Sequence, residues 1–100
     1  MIQDYNPTDA WVDSRESTIG LVREERRRQL AKWGERTYDD GTWVKVIAEE
    51  FGELAQEMLT IQFDSRPEKI AESIENRKKE AIQLAAVCLA YVQQLESGSA

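Results

Sequence analysis

From Trp43 to Ile61 the apolar residues return every three or four positions, which is the period of an α-helix. With Trp43 at zero and about 100° per residue, Ile47, Phe51, Leu54, Met58 and Ile61 fall between about 0° and about 80°, with Val46 at about 300°. That arc has to face a core. No alternating strand pattern and no internal repeat appears elsewhere. The expected fold class is therefore all-α, a helical bundle of three to four helices.

The same stretch carries an unusual load of acid. EEFGELAQE, Glu49 to Glu57, holds four carboxylates. On the wheel Glu50 lands at about 340° and Glu57 at about 320°, both in the apolar border. Glu53, at about 280°, flanks it, and Glu49, at about 240°, stands at the wet margin. A later run, AIQLAAVCLAYV from Ala81 to Val92, is apolar almost all round and reads as a helix covered on several sides. Glu80 opens its face with Leu84, Val87 and Tyr91, and Gln83 lies one turn along. An ion taken out of water without a partner costs several kcal/mol. A salt bridge to an inward arginine such as Arg26, protonation, or a divalent cation would each answer that cost. Pairs at i, i+3 put two oxygen groups on one helical face. Glu50 with Glu53, and Glu80 with Gln83, can line two sides of a magnesium site, or can simply be solvated faces.

The remaining elements follow from their punctuation. A helix is expected to start between Asp13 and Thr18 and to run to Trp33, where Gly34 can end it. Glu35 to Thr42 reads as a loop, and a second helix as Thr42 to Ile61. Ser65, Pro67 and Glu68 signal the next start. The last helix is expected to break between Ser73 and Asn76, where Ser, Asn and charges interrupt the apolar spacing. Residues 1–16, with Tyr5 and Trp11, read as an arm, 17–96 as the helical domain, and 97–100 as a frayed tail. In the first helix Ile19, Val22, Leu30 and Trp33 share a stripe that includes Arg26 and Gln29. An inward arginine suits a phosphate or a carboxylate, and an inward glutamine suits a base or sugar edge. Trp33 suits a core or a stacked base.

Composition removes several chemistries. The chain has 100 residues and no histidine. Ser-His-Asp and Cys-His catalysis, most zinc sites and the Glu-x-x-His pairs of di-iron bundles are thereby excluded. The single cysteine, Cys88, sits in an apolar run and reads as a buried thiol. A net charge of -6 argues against binding a nucleic-acid polymer. The longest apolar run is too short for a bilayer, and the first residues lack a secretory signal, so a cytoplasmic location is expected. A core this small favours association with a second copy.

ERRRQLAKWG (Glu25 to Gly34), Trp43, EEFGE (Glu49 to Glu53) and KKEAIQLAAVCLAYVQQL together resemble the MazG-like branch of the all-α nucleoside triphosphate pyrophosphatases. The resemblance spans about residues 18–95. It implies a homodimer or homotetramer whose helical bundle completes the active site. It implies cleavage of a nucleoside triphosphate, standard or non-standard, between the α and β phosphates, giving monophosphate and pyrophosphate. It implies magnesium, with manganese as a substitute, held by an acidic pair in each of two helices. Carried onto this chain, the metal ligands would be Glu50, Glu53, Glu80 and Gln83. Glu49 would orient or deprotonate the attacking water, and Glu53 would share in the catalysis. Arg26, Gln29, Lys32 and Trp33 would lie near the nucleotide. The family's second motif is Glu-x-x-Asp, and here it reads Glu80-x-x-Gln83, one negative charge short. That departure keeps two alternatives in view: a binding module on the same scaffold that does not turn its ligand over, and a structural oligomer whose inward acids pair with Arg26 and other cations.

Overall fold

The computed structural model describes residues 15–98. The expected arm and tail, Tyr5 and Trp11 included, lie outside the described residues except at their inner edges. Three helices follow in order, α1 (Glu16–Trp33), α2 (Asp40–Phe63) and α3 (Pro67–Ser97). No strand occurs among the described residues. None of these helices is long and apolar enough to cross a membrane.

The caps explain the boundaries. Gly34 ends α1 at φ 74°, a conformation open to glycine, and its N–H donates to Leu30 O at 2.8 Å. Asp39 caps α2, its Oδ1 accepting from Thr42 N at 2.7 Å, so the helix starts earlier than the expected Thr42. It also runs on past Ile61 to Phe63. Pro67 takes the first position of α3 as expected, but the capping residue is Arg66 and not Ser65. Asp64 Oδ1 accepts from Arg66 N at 2.8 Å, so the turn is closed one residue away from the expected serine.

The expected break between Ser73 and Asn76 does not occur. α3 is a single helix from Pro67 to Ser97. Serine and asparagine cost a helix only a few tenths of a kcal/mol each, and neither glycine nor proline lies inside the run. Ser73 is in fact buried.

Both α1 and α2 pack against α3. The core sits where they meet: Trp43 from α2, and Ala86, Val87 and Ala90 from α3. Tyr38, Val46, Ile47 and Tyr91 close around it. Trp43 stacks on Tyr91 with ring centroids 5.5 Å apart and meets Tyr38 edge-on at 5.1 Å.

The apolar faces are wider than this core. Phe51 is 56% exposed and Met58 39%, although both belong to the stripe expected to face inward. Val44 and Leu59 extend the uncovered strip on α2, and Leu89 and Val92 remain exposed on α3. Ala81 to Val92 is covered by both α1 and α2 except along one strip, Ala81, Ala85, Leu89 and Val92. On α1, Gln29 is buried and Val22 and Arg26 are half-buried, as the stripe expected, whereas Ile19, Leu30 and Trp33 at its other edge are exposed.

Candidate functional site

The carboxylates converge. Glu50 and Glu53 on α2 and Glu80 on α3 bring one oxygen each to within 4.8 Å of one another. Glu50 and Glu80 are half-buried and Glu53 is exposed. Helical spacing brings Glu50 and Glu53 onto neighbouring faces, and the packing of α2 on α3 brings Glu80 across to them.

Among the described residues the group has no ion-pair partner. One oxygen of Glu50, one of Glu57 and one of Glu80 are buried without a hydrogen-bond partner. No lysine or arginine among the described residues forms an ion pair with any of them. Burial, then the charges of Glu53 and Glu80, push the Glu50 carboxyl above the ordinary carboxylate range. Burial, then hydrogen bonding to Glu53 and the charges of Glu53 and Glu57, push Glu80 up as well.

Of the answers open to the sequence, the Arg26 salt bridge is not the one adopted. Arg26 Nε donates to Gln93 Oε1 at 3.0 Å instead. Arg28, itself exposed, binds Glu25 through Nη2 at 2.6 Å and Nε at 2.9 Å, which holds the Glu25 carboxyl below its ordinary value. Protonation or a cation remains for the trio. The donor set is oxygen only, its orphaned oxygens point to a missing partner, and it suits a hard divalent ion.

Glu49 stands exposed on α2, outside the trio. Gln83 is half-buried on α3, one turn from Glu80.

Beside the trio lies a cavity of about 220 Å³, and Glu50 is part of its wall. Arg26, Gln29 and Trp33 line it from α1, and Trp43 and Val87 line it from the core. Three of the four residues expected near a nucleotide therefore meet in one cavity with an expected metal ligand. Lys32 does not join them; its ammonium lies over the Trp33 ring, 4.9 Å from the centroid.

Sequence reasoning missed the loop side of this cavity. Arg36 and Tyr38 line it, and Gln94 holds them there. Gln94 Oε1 accepts from Trp43 Nε1 at 2.7 Å and from Tyr38 N at 3.0 Å, and its Nε2 donates to Tyr38 O at 2.7 Å. One buried amide thus satisfies an indole and both backbone groups of Tyr38. Tyr91 Oη donates to Asp40 Oδ1 at 2.8 Å and ties down the start of α2. The Asp and Gly content of Glu35 to Thr42 marks a loop, and nothing in it signals that a glutamine far along the chain pins it.

Comparisons of the chain with protein-family models, with curated proteins and with solved structures return no match.

Proposed function

We propose that the protein is a magnesium-dependent nucleoside triphosphate pyrophosphohydrolase of the MazG-like kind, active as a homodimer or homotetramer in the cytoplasm. The reading rests on one observation above the rest: three carboxylates from two helices converge, with buried partnerless oxygens, on the edge of a cavity walled by aromatic and cationic side chains. The resemblance in sequence points to the same residues.

In this reading Glu50, Glu53 and Glu80 hold the ion, and Gln83 adds a neutral oxygen. Magnesium, when bound, supplies charge neutralisation on the phosphates and orients them. Glu53, the exposed member, would hold the attacking water. Glu49, exposed one turn before Glu53, would take the proton on the solvent side. Trp33, Trp43 and Tyr38 offer faces for the base, and Arg26 and Gln29 offer hydrogen bonds. A net acidic chain accepts an anionic nucleotide because the ion inverts the local sign.

Association follows from the uncovered strip of Val44, Phe51, Met58 and Leu59 along α2. A second copy is the occupant that the resemblance implies, and it would complete the bundle. A reducing compartment suits the lone thiol of Cys88.

Phosphorus NMR tests the activity. A panel of nucleoside triphosphates, deoxy and oxidised forms included, is incubated with and without magnesium. Magnesium-dependent monophosphate plus pyrophosphate is expected from at least one member. Silence across the panel from folded protein would overturn the enzyme reading. It would favour the second one, a nucleotide-binding module, for which Gln83 in place of an acid is the specific support.

A further inference from the structure

Two guanidinium groups line the cavity without an ionic partner. Among the described residues, Arg27, Arg28 and Arg66 are each bridged to an acid, whereas Arg26 and Arg36 are held only by neutral acceptors. Arg26 uses Nε on Gln93. Arg36 uses Nε on Trp33 O at 3.4 Å and Nη1 on Tyr38 Oη at 3.1 Å. Both Nη groups of Arg26 and Nη2 of Arg36 are left to donate. The loop that carries Arg36 is pinned through Tyr38 by Gln94, so its donors are preorganised.

Position along α3 separates these donors from the carboxylates. Arg26 and Arg36 also border a second cavity, lined by Gln93 and Gln94, that Glu50 does not reach. Gln93 lies about 20 Å along the helix axis from Glu80, at about 1.5 Å per residue. Arg26 shares the wall of the first cavity with Glu50, but its Nε donates away from the carboxylates, to Gln93. With phosphates at the trio, the arginine donors that border both cavities are available to the other end of the ligand.

Gln29 supplies the complementary half. It is buried, lines the cavity, and spends its Nε2 on Glu25 Oε2 at 3.3 Å, which leaves Oε1 to accept. A cavity wall that offers arginine donors and one amide acceptor matches a ring carbonyl next to a ring N–H. Guanine, hypoxanthine, uracil and thymine carry that lactam edge. Adenine and cytosine present an amino group beside a bare ring nitrogen, the reverse order.

We propose that the cavity reads the lactam edge of a nucleobase, with Arg36 and Arg26 donating to the carbonyl and Gln29 accepting from the adjacent N–H. Arg36 is then a specificity-determining residue, and the substrates are keto-base nucleotides. The inference rests on the nucleotide reading above.

Inosine and adenosine monophosphates differ only at this edge, and calorimetric titration of the full chain in chelator compares them without metal or turnover. Inosine monophosphate is expected to bind about tenfold tighter or more, the scale of one well-formed bidentate contact. Arg36→Met is expected to collapse that preference while helicity is retained, since Arg36 is exposed. Arg36→Lys keeps the charge but loses the fork, and is expected to lose most of the preference. Equal affinities in the unaltered chain, no binding of either nucleotide, or a preference that survives both substitutions would overturn the proposal. So would displacement by ribose 5-phosphate as strong as by inosine monophosphate, which would place the phosphate on the arginines. The same preparation is assayed for magnesium-dependent pyrophosphate release from the two triphosphates. Release without discrimination sinks the base reading and leaves the hydrolase. Discrimination without release sinks the hydrolase and leaves the base reading.

Discussion

Glu50 on α2 and Glu80 on α3 hold carboxylate oxygens within 4.8 Å of one another, and each has a buried oxygen with no hydrogen-bond partner. Two like charges this close in a partly dry setting repel, and no ion pair in the described chain offsets them. Whatever relieves that repulsion, a proton or a divalent ion, governs both the stability of the α2–α3 contact and what the site does.

The pH dependence of stability reports the proton. Because the Glu50 and Glu80 carboxyls are raised above the ordinary 4.5, the folded chain binds protons that the unfolded chain releases. Stability from this pair therefore falls as pH rises from the ordinary value through the raised one. In chelator, lowering the buffer from about pH 8 towards the ordinary carboxylate range is expected to raise the thermal midpoint, and Glu80→Gln should flatten that slope. A midpoint that falls over this range in the unaltered chain contradicts the assignment. Glu25, held low by Arg28, acts in the opposite sense, and its contribution is lost only at more acid pH.

Glu53→Gln removes charge without changing shape. Turnover of whichever triphosphate is cleaved is expected to fall by about 100-fold or more, the scale of losing a positioned catalytic group. Circular dichroism should show helicity unchanged, because Glu53 is exposed. Full activity in this variant would remove Glu53 from the site.

Gln83→Asp restores the missing negative charge one turn from Glu80. Magnesium affinity, followed by calorimetry, is expected to rise. A fall would show that Gln83 does not face the ion.

Gln94→Met tests the pinning of the loop. It strands the Trp43 indole N–H and the backbone groups of Tyr38, and each buried group left unpaired costs about 1–3 kcal/mol. A loss of about 2–4 kcal/mol in denaturant unfolding is expected. A loss below about 0.5 kcal/mol, the range of ordinary surface substitutions, would show that the amide is dispensable.

Leu59→Lys places a charge on the uncovered strip of α2, where Leu59 is 50% exposed. Sedimentation is expected to show a dimer or tetramer for the unaltered chain and a shift towards monomer for the variant. A monomeric unaltered chain would sink the proposed association.

Much of this molecule was legible before its structure. The helical period marked all three helices, Gly34 and Pro67 marked two of their ends, and Glu50 stood out as an acid in an apolar border. These are local signals, carried by residues three or four apart. The errors share a cause. The expected break in α3 weighed weak local interruptions against a helix whose packing overrides them. The inward placing of Phe51 and Met58 assumed a neighbour on every apolar face, and a single chain supplies too few. Arg26 was free to pair with a glutamate until its distance from Gln93 was known.

Period and residue type decided that the chain is helical and which faces are acidic, because both are set within one turn of backbone. That Glu80 faces Glu50, that Gln94 pins Tyr38 and Trp43, and that Arg36 joins Arg26 around one cavity were decided only by how α1 and α2 settle on α3. Those pairings join positions far apart in the chain, where no repeat or spacing constrains their distance and only the packing of the helices does.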